Sequence, residues 1–525
     1  MQIARIGDGS TPPYSVEVVG GKAANLARMA ALGVPVPPAF VLPVELCAAI
    51  VSGETGARQI LTEGLAEGIG FLQNATGKRF GDRRRPLLVS VRSGAARSMP
   101  GMLDTVLNVG CTSTAVRGLV RMSGHPRFAW DCRRRFLESY GVVVLGLGRA
   151  LFERRLDQLV AAEGVEGEAA VDGETLERLA GKYREMIEEA DGALPEDPME
   201  QLTAAAQAVF RSWNSERACA YRQLQHLENL RGTAVTIQAM VFGNRGPSSG
   251  AGVAFSRDPS TGDPRSVIDV LFESQGEDVV SGSRNPATEE TLTQSVPVAA
   301  AQLCQTLARL EQELGDVQDV EFTIEDGKLW ILQTRSAKRT PQAALRFAID
   351  FVKEGRITPS EGLRRLRGLD LNTLASKRLV AVGEPVARGT GASAGVAVGR
   401  ASFDSQGAQR LASAGPVILV RPDLSTSDVA GFSISEGIVT AVGARTAHAA
   451  LVARQMGKAC IVGCAGLTID LGSRRAQLAG AAIIEGDWLS IDGGAGTIYL
   501  GRGTIAVDRP EAELAEIARW RSEVT

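Results

Sequence analysis

A β-strand followed closely by an α-helix is predicted by the stretch Gly437-Ile438-Val439-Thr440-Ala441-Val442-Gly443-Ala444-Arg445-Thr446-Ala447-His448. Its first residues are apolar and β-branched, which favours a strand, and residues 449–456 have helical spacing up to a glycine at position 457. His448 therefore falls where the helix begins. A helix N-terminus attracts anions and disfavours a protonated imidazole, so we expect His448 to stay neutral beside a bound phosphate.

His448 is one of only three histidines in the chain. A single histidine is most often structural, and we keep that interpretation for His125 and His226. At pH 7 about three quarters of a histidine population with an ordinary pKa is neutral. Because a phosphoryl group on an imidazole nitrogen is labile and transferable, the position of His448 indicates covalent relay of a phosphoryl group.

The sequence around His448 is Gly-rich and strand-dominated over residues 383–500. Its length fits a separate compact domain of about 120 residues. Besides the strand before His448, the predicted strands lie at residues 416–420, 459–462 and 488–491.

The sequence before this domain alternates Gly-punctuated apolar runs with helical segments over residues 20–333, a pattern typical of an α+β body. Its predicted strands include residues 87–91 and 233–242, and its helical segments include residues 127–147 and 173–209. Residues 340–377 are predicted to be helical and to connect the two domains. At the other end, residues 510–524 predict a short amphipathic helix, on which Leu514, Ile517 and Ala518 are placed to contact a partner protein.

A β-hairpin is predicted at residues 319–333, where two alternating strands are joined by Glu325-Asp326-Gly327. Such a hairpin would present Asp319, Glu321, Gln333 and Arg335 to a common site. Phosphoryl transfer needs a magnesium ion held by oxygen atoms and cations that neutralise developing charge, which these side chains offer. Polar residues on a hairpin usually form only its solvated face, so this pattern depends on phosphate-binding motifs elsewhere.

Two earlier segments have the composition of phosphate-binding loops. Gly20-Gly21-Lys22-Ala23-Ala24-Asn25 precedes helical sequence and would place backbone N–H groups and one ammonium beside a phosphate, although a Gly-Gly pair is more often only a turn. Residues 89–105 form a strand and then a loop with Arg92, Arg97, two glycines and several hydroxyl groups. Arginine suits phosphate oxygens, so we prefer a phosphate loop to a solvated loop with scattered charge.

Composition excludes several other classes of protein. Lys and Arg number 57 against 60 Asp and Glu, a net charge of −3, which argues against a nucleic-acid or anionic-membrane binder. The N-terminus does not resemble a secretory signal, and the longest apolar stretch, residues 142–147, is too short to cross a bilayer. Seven scattered cysteines do not have zinc-site spacing and are interpreted as reduced thiols. We therefore expect a cytoplasmic protein.

Together these segments resemble the pyruvate, phosphate dikinase family, in nearly the same order along the chain. The resemblance to its ATP-grasp nucleotide module covers residues 20–339 and includes Gly20-Gly21-Lys22, Phe210-Arg211-Ser212-Trp213-Asn214, residues 90–108, 252–259 and 275–282, and the hairpin. Residues 389–399, the His448 segment and residues 485–494 resemble its phosphohistidine domain, which swivels between two distant active sites.

The resemblance implies a role for each matching residue, with ATP and Mg²⁺ as cofactors. Lys22, Arg92 and Arg335 would contact ATP phosphates, and His448 would carry the phosphoryl group, which makes His448, Arg92 and Arg335 the catalytic set. Glu321 and Gln333 would serve the nucleotide or the magnesium ion. The remaining nucleotide-site candidates are Gln238 and Met240 near the adenine, Gly101 in the loop after Arg92, and Asp319 and Glu277.

The sequence departs from the family pattern in three ways. The usual Gly-Gly-Met-Thr-Ser-His is Gly443-Ala444-Arg445-Thr446-Ala447-His448, and the Ser-Pro-Gly turn is Ser393-Ala394-Gly395. Family members also continue into a C-terminal (β/α)₈ barrel that binds pyruvate or phosphoenolpyruvate. Such a barrel needs about 250 residues, so we expect the acceptor site of this protein on a separate chain.

The expected architecture is therefore a multidomain α+β and α/β protein. Residues 1–339 would form the ATP-grasp module, residues 340–382 a helical linker, residues 383–502 the phosphohistidine domain and residues 503–525 a terminal helix. The expected function is an ATP-dependent phosphotransferase of the dikinase type, with inorganic phosphate as a further substrate. Two alternatives remain: a small-molecule phosphotransferase related to rifampin phosphotransferases or phenylphosphate synthases, and a regulatory protein that binds nucleotide without turnover.

Overall fold

The structure is a computed structural model of the 525-residue chain. It describes residues 3–7, 14–97, 99, 102–165, 167–190, 192, 194–224, 226–281, 284–371, 374–380, 383–423, 428–445 and 448–524. The chain divides into two compact units, one formed by Met1–Ser249 with Thr323–Thr334 and the other by Gly250–Phe322 with Arg335–Thr525. Gly101, Thr446 and Ala447, singled out above, lie outside the described residues.

The first unit combines a β-sheet with a set of helices. Its helices are α1 (Val16–Ala31), α2 (Glu45–Ser52), α3 (Ala57–Thr76), α4 (Ser113–Ser123), α5 (Pro126–Val143), α6 (Arg149–Glu163), α7 (Gly173–Glu189), α8 (Pro198–Arg211) and α9 (Glu216–Leu224). Its strands are β1 (Ala4–Ile6), β2 (Ala39–Leu42), β3 (Arg79–Phe80), β4 (Pro86–Leu87), β5 (Val89–Gly94), β6 (Thr105–Val109) and β7 (Ala234–Ala239).

Five strands of this unit form an antiparallel sheet in the order β1-β2-β7-β5-β6. The central strand β7 is buried at every residue, including the polar Thr236 and Gln238, because it has a neighbouring strand on both sides. The sheet aligns Gln238 of β7 with Ser90 of β5, and Arg92 of β5 with Thr236 of β7. The sheet therefore fixes the positions of Arg92 and Gln238 on neighbouring strands.

A buried charge cluster holds helix α5. Asp131, which is 3% exposed, accepts hydrogen bonds from Arg134 Nη2 at 2.8 Å, Arg135 Nε at 3.0 Å and Asn244 Nδ2 at 2.7 Å. Burial alone would raise the pKa of Asp131, but the charges of Arg135 and Arg134 outweigh it and hold this pKa well below its usual range. The cluster keeps a carboxylate ionised inside the helical part of the unit.

The second unit contains the remaining elements, and the hairpin is shared because its tip is grouped with the first unit. Its helices are α10 (Gly276–Ser281), α11 (Glu289–Ser295), α12 (Pro297–Leu314), α13 (Pro341–Lys353), α14 (Pro359–Arg365), α15 (Ser405–Ala412), α16 (Val429–Ile434), α17 (His448–Gln455) and α18 (Glu511–Val524). Its strands are β8 (Gly250–Phe255), β9 (Val267–Phe272), β10 (Gln318–Glu325), β11 (Lys328–Ser336), β12 (Ser376–Val380), β13 (Ala387–Arg388), β14 (Thr390–Ser393), β15 (Val396–Ser402), β16 (Val417–Arg421), β17 (Gly437–Thr440), β18 (Ala459–Val462), β19 (Leu467–Asp470), β20 (Arg475–Leu478), β21 (Ala481–Ile484), β22 (Trp488–Asp492), β23 (Thr497–Leu500) and β24 (Thr504–Asp508).

The predicted hairpin is formed by β10 and β11, which lie in the sheet order β11-β10-β8-β9. Its turn residues Asp326 and Gly327 both have positive φ, 49° and 76°. Two consecutive positive φ values are what a type I′ turn requires, so the Asp-Gly prediction is confirmed together with its physical reason.

An eight-stranded sheet contains the segment around His448, in the order β13-β23-β22-β15-β16-β17-β18-β14. Strands β15 to β18 are mutually parallel, and helices α15, α16 and α17 connect them in turn. Parallel neighbours need such crossovers, so these residues form three consecutive βαβ units. Helix α17 thus starts beyond the carboxyl end of β17, where open α/β sheets place their ligands.

The connector differs from the sequence-based expectation at its C-terminal end. Residues 341–353 and 359–365 are helical as predicted, but Ser376 and Lys377 belong to strand β12, which pairs antiparallel with β24. A second correction concerns residues 173–209, which form two helices, α7 and α8, separated by residues 190–197. Asp197 caps α8 and Pro198 begins it, which explains the break.

The terminal helix α18 packs on the linker helices. Trp520 is fully buried among Leu345, Ile349 and Leu366, and Ile517 and Leu514 belong to the same apolar cluster. This corrects the expectation that Leu514 and Ile517 face a partner protein, because both are already used inside the unit. Ala518 is exposed. Among the helices of the described residues, none is long and apolar enough to cross a membrane.

Candidate functional site

The two glycine-rich motifs of the first unit contact each other. Gly20 interrupts helix α1 with φ 78° and ψ 161°, and the N–H of Gly21 donates to the carbonyl oxygen of Ala95 at 3.0 Å. A side chain at Gly20 would collide with the backbone of Gly94, so only glycine allows this approach. Lys22, the next residue on the helix, is therefore brought to the loop that follows Arg92.

The same part of the first unit includes strand β11. Asn25 Nδ2, one helical turn after Lys22, donates to the carbonyl oxygen of Thr334 at 3.2 Å. Gln333 is the neighbour of Thr334 on this strand. Helix α1 thus connects the loop after Arg92 with the strand that carries Gln333, which brings together the elements bearing three of the predicted site residues.

The two residues predicted to lie near the adenine are at the end of the central strand β7. Gln238 is 3% exposed, and its Nε2 donates to the carbonyl oxygen of Pro37 at 3.1 Å. The N–H of Met240 donates to the carbonyl oxygen of Leu88 at 2.9 Å, and its side chain is half-buried. The Gln238 amide thus holds the segment before β2, and the partly exposed Met240 side chain packs against the core of the unit.

In the second unit the hairpin strands bring acidic and basic side chains together. Arg335 Nε donates to Asp319 Oδ2 at 2.8 Å, and Asp319 is 2% exposed. Burial raises the pKa of Asp319, with the charge of Arg335 opposing this and that of Glu321 adding to it. For Arg335, burial lowers the pKa, but Asp319 and Glu321 outweigh it and raise the pKa. The three groups therefore form one electrostatic cluster.

This cluster offers oxygen donors of the kind that magnesium prefers. Asp319 Oδ1 is buried and has no hydrogen-bond partner among the described residues, and Glu321 is half-buried beside it. Mg²⁺ usually binds through one or two carboxylates together with substrate phosphates. No group of three or more acidic, histidine or cysteine side chains suited to a metal occurs among the described residues. The available donors fit an ion shared with a nucleotide.

His448 is the first residue of α17, as predicted, and Glu277 is an exposed residue in the first turn of α10. Residues 250–322 and 335–339 of the second unit belong to the predicted ATP-grasp module and are called the nucleotide part below. They hold the backbone before α17, since the N–H of Arg445 donates to Asp269 Oδ2 at 2.9 Å. Burial raises the pKa of Asp269, opposed by the charge of Arg445. The structure therefore adds Asp269, on β9, to the residues around the His448 segment.

Two family models match this chain. Pyruvate phosphate dikinase, AMP/ATP-binding domain, matches residues 57–297 and 287–355, more than half of the chain. The chain belongs to the pyruvate, phosphate dikinase family. The model of the PEP-utilising enzyme, mobile domain, matches residues 414–496, which include β17 and His448.

Curated members of the pyruvate, phosphate dikinase family are similar over nearly the whole chain. The pyruvate, phosphate dikinase of Clostridium symbiosum is 41% identical over 491 residues, which cover 92% of this chain and 56% of the relative. The chloroplastic enzyme 1 of Arabidopsis thaliana is 40% identical over 513 residues, 97% of this chain and 53% of the relative. The chain therefore spans about half the length of the curated relatives it matches.

One buried residue of the family segment was missed by the sequence analysis. Arg454, on α17, is 2% exposed although it is charged. The signal was present, because a single arginine interrupts the otherwise apolar helix His448-Ala449-Ala450-Leu451-Val452-Ala453-Arg454. Helical spacing alone does not show whether such an arginine points to solvent or into a buried contact.

Proposed function

We propose that this chain is an ATP-dependent phosphotransferase of the dikinase type, which transfers a phosphoryl group from ATP to His448. The observation that carries the proposal is that His448 begins α17, beyond the carboxyl end of the parallel strand β17, within the segment that matches a mobile domain. Peptide N–H groups at a helix start favour bound phosphate oxygens and a neutral imidazole.

Lys22, Arg92 and Arg335 neutralise the phosphate groups of ATP in this proposal. The contact of Gly20 and Gly21 with Gly94 and Ala95 supports it, because Lys22 follows directly on the helix and its backbone is then held beside the loop after Arg92. Arginine binds phosphate oxygens through a planar pair of donors, which suits Arg92 and Arg335 to orient the transferred group. Gly101 would belong to the same phosphate loop.

We assign magnesium binding to Glu321 and Gln333 on the hairpin. Asp319 is a buried carboxylate next to Glu321. A bound Mg²⁺ ion would neutralise charge on the phosphate oxygens of the nucleotide. Gln238 and Met240 are proposed to contact the adenine through the backbone and the partly exposed Met240 side chain, and Glu277 is retained as a weaker nucleotide ligand. The exposed position of Glu277 supports contact with a polar part of the nucleotide.

The step at His448 is a direct displacement at phosphorus. The unprotonated imidazole nitrogen forms an N–P bond while the bond from that phosphorus to the bridging oxygen of the nucleotide breaks, and the leaving phosphate retains the electron pair. Because the attacking nitrogen carries no proton, no base is needed. The phosphoimidazole then delivers its group to an acceptor on a separate chain, and inorganic phosphate is proposed as the second acceptor of ATP-derived phosphate.

The test is the intact mass of the protein after incubation with ATP and Mg²⁺. We expect one phosphoryl or pyrophosphoryl group that is stable at neutral pH and lost in acid, and no label on His448→Asn because the nucleophile is gone. His226→Asn is the matched control, since His226 is exposed with φ 53°, a conformation that asparagine tolerates. Equal labelling of His448→Asn and the native chain would contradict the proposal.

A further inference from the structure

Arg454 is a buried residue of α17, the helix that begins at His448. The two residues are six positions apart in the sequence, which corresponds to about 9 Å along the helix axis and about one and two-thirds turns. Positions 448 and 454 therefore lie on different sides of α17. A guanidinium that is 2% exposed is costly to bury and needs specific partners.

The partners of Arg454 come from three segments of the second unit. Its Nε donates to the carbonyl oxygen of Ala392 in β14 at 2.8 Å, and its Nη2 donates to the carbonyl oxygen of Arg445. Its guanidinium also lies over the ring of Phe255, 5.4 Å from the centroid, at the end of β8. The Arg454 side chain, on α17, thus contacts both the segment before this helix and the sheet that contains the hairpin.

The charges around Arg454 belong mainly to the nucleotide part of the unit. Burial lowers the pKa of Arg454, and the nearby groups that oppose this are Asp319, then Cys460, Asp269 and Asp258. Arg454 Nη1 and Asp319 Oδ1 are both buried, and neither has a hydrogen-bond partner among the described residues. The Arg454 guanidinium thus has a donor without a partner, and the Asp319 carboxylate, which is close enough to affect the pKa of Arg454, has an acceptor without one.

We propose that Arg454 is a positioning residue, which seats the helix beginning at His448 on the nucleotide part through Phe255 and the carboxylate of Asp319. The inference rests on the proposed function and deepens it. Asp319 also holds Arg335, so the same carboxylate links the seated helix to the cation assigned to the ATP phosphates. In this proposal Arg454 acts by determining where the helix is held and not on the phosphoryl group itself.

The first experiment measures the distance between the two parts without any turnover. Spin labels are placed on the exposed native Cys304 of α12 and on Ser413→Cys after α15, in a Cys219→Ser background, because the other five cysteines are buried. We expect Arg454→Met to lower the ratio of seated to released helix by about tenfold or more, and Arg454→Lys to restore it in part. Arg410→Met removes an exposed arginine of the same sheet domain and should leave the distances unchanged.

The role of Asp319 is tested in the same distance measurement with a double-mutant cycle. If Asp319 is the charge that Arg454 meets, Asp319→Asn should add little to the effect of Arg454→Met. Fully additive effects would overturn the assignment of Asp319. An unchanged distance distribution in Arg454→Met would overturn the whole inference.

A labelling experiment tests whether Arg454 positions the helix or is needed only to keep the segment around His448 folded. Phosphoramidate transfers its phosphoryl group to imidazole and releases ammonia, so it phosphorylates His448 without the nucleotide site. We expect Arg454→Met to lower the rate of labelling by ATP about tenfold and to leave labelling by phosphoramidate and the affinity for ATP unchanged. A parallel loss of both labels would overturn the inference. If Arg454→Met shifts the distance distribution but the native chain is never labelled by ATP, the proposed function fails and the positioning role of Arg454 stands.

Discussion

Arg335 and Asp319 form an ion pair within the proposed phosphate site. The aspartate is buried while the arginine is about one third exposed, so one end of the pair is fixed and the other remains accessible to a ligand. An arginine whose orientation is held in this way loses less conformational freedom when it binds phosphate. The pairing therefore prepares Arg335 for the role proposed for it.

The first residue-scale prediction concerns Arg92 and Arg335, the two arginines proposed to bind phosphate. Arg92→Ala and Arg335→Ala should each lower the rate of ATP-dependent labelling of His448 by more than about tenfold, because each removes a cation that stabilises charge in the transition state. Arg265→Ala is the control, since the Arg265 side chain is 87% exposed and pairs with Asp263. Quench-flow labelling with radioactive ATP measures the rates, and native rates in both variants would show that the nucleotide site is elsewhere.

A second residue-scale prediction follows from the lowered pKa of Asp131. A carboxyl group with a lowered pKa in the folded state stabilises the protein above its ordinary pKa of about 4 and loses that contribution as the pH falls. Asp131→Asn should therefore lower the free energy of unfolding by about 3 kcal/mol at pH 7, with a smaller difference below about pH 4. Urea unfolding at several pH values measures this, with exposed Asp157→Asn as the control. A difference independent of pH would contradict the assignment.

For individual residues, the sequence predicted those that are marked by a pattern in the neighbouring sequence. His448 was identifiable because a strand, a short loop and a helix follow one another in the sequence. Asp269 was not identifiable, because the residue that it contacts, Arg445, lies 176 residues away along the chain. Arg454 was visible as a charge on an apolar helix, but its burial was not, because its partner Ala392 lies 62 residues away. The roles of Lys22, Arg92, Gln238 and the hairpin residues stay predictions, although the structure describes where each of them lies.

Among the elements, the hairpin was the best predicted, since an Asp-Gly turn between alternating strands specifies both strand ends. Helix α1 was less predictable. The sequence indicated a helix after the Gly-Gly pair, whereas α1 begins at Val16 and is interrupted at Gly20. The interruption is imposed by the backbone of Gly94, a contact that no local pattern in residues 16–31 reveals.

The element-scale prediction concerns the terminal helix α18. Trp520 is fully buried, and any side chain at Gly362 of α14 would collide with its ring. Trp520→Ala should lower the free energy of unfolding of the second unit by about 3–5 kcal/mol, because it leaves a large cavity between the linker helices and α18. Hydrogen exchange of α14 and α18 measures the effect. Arg519→Ala, which truncates an exposed neighbour, should leave exchange unchanged; native-like protection in Trp520→Ala would contradict this packing.

For the whole molecule, the division into two units crosses the hairpin rather than a linker. The sequence could not show this, because the tip and the base of one hairpin belong to different units only through tertiary contacts. The proposed boundaries at residues 339, 382 and 502 stay predictions. Of the parallel strands, β16, β17 and β18 were predicted from the sequence and β15 was not, and the sheet order of all four follows from pairing between distant segments.

The whole-molecule prediction is that the purified chain alone will not make phosphoenolpyruvate from pyruvate. Pyruvate is a small anion whose pocket needs convergent cations and a metal on rigid elements, and the phosphate-directed groups described here are assigned to the nucleotide. Adding a separate protein that carries the pyruvate-binding barrel should restore turnover. The assay follows phosphoenolpyruvate and AMP formed from ATP, phosphate and pyruvate, with the His448→Asn chain as the control.

Two results would revise this prediction in different directions. Steady AMP-linked formation of phosphoenolpyruvate by the chain alone would contradict it and place the acceptor site within the 525 residues. Phosphorylation of a phenol or another small hydroxyl compound without any added protein would favour the small-molecule alternative.

The ribbon formed by β12 and β24 has a topological consequence. Val380 and Thr504 face each other in it, so the chain enters and leaves the intervening stretch at adjacent points. Paired strands are about 5 Å apart, a gap that a two-residue Asn-Gly turn closes. Joining residue 380 to residue 504 through such a turn would keep β12 and β24 in register, so we expect residues 381–503 to be replaceable as a single insert between fixed ends.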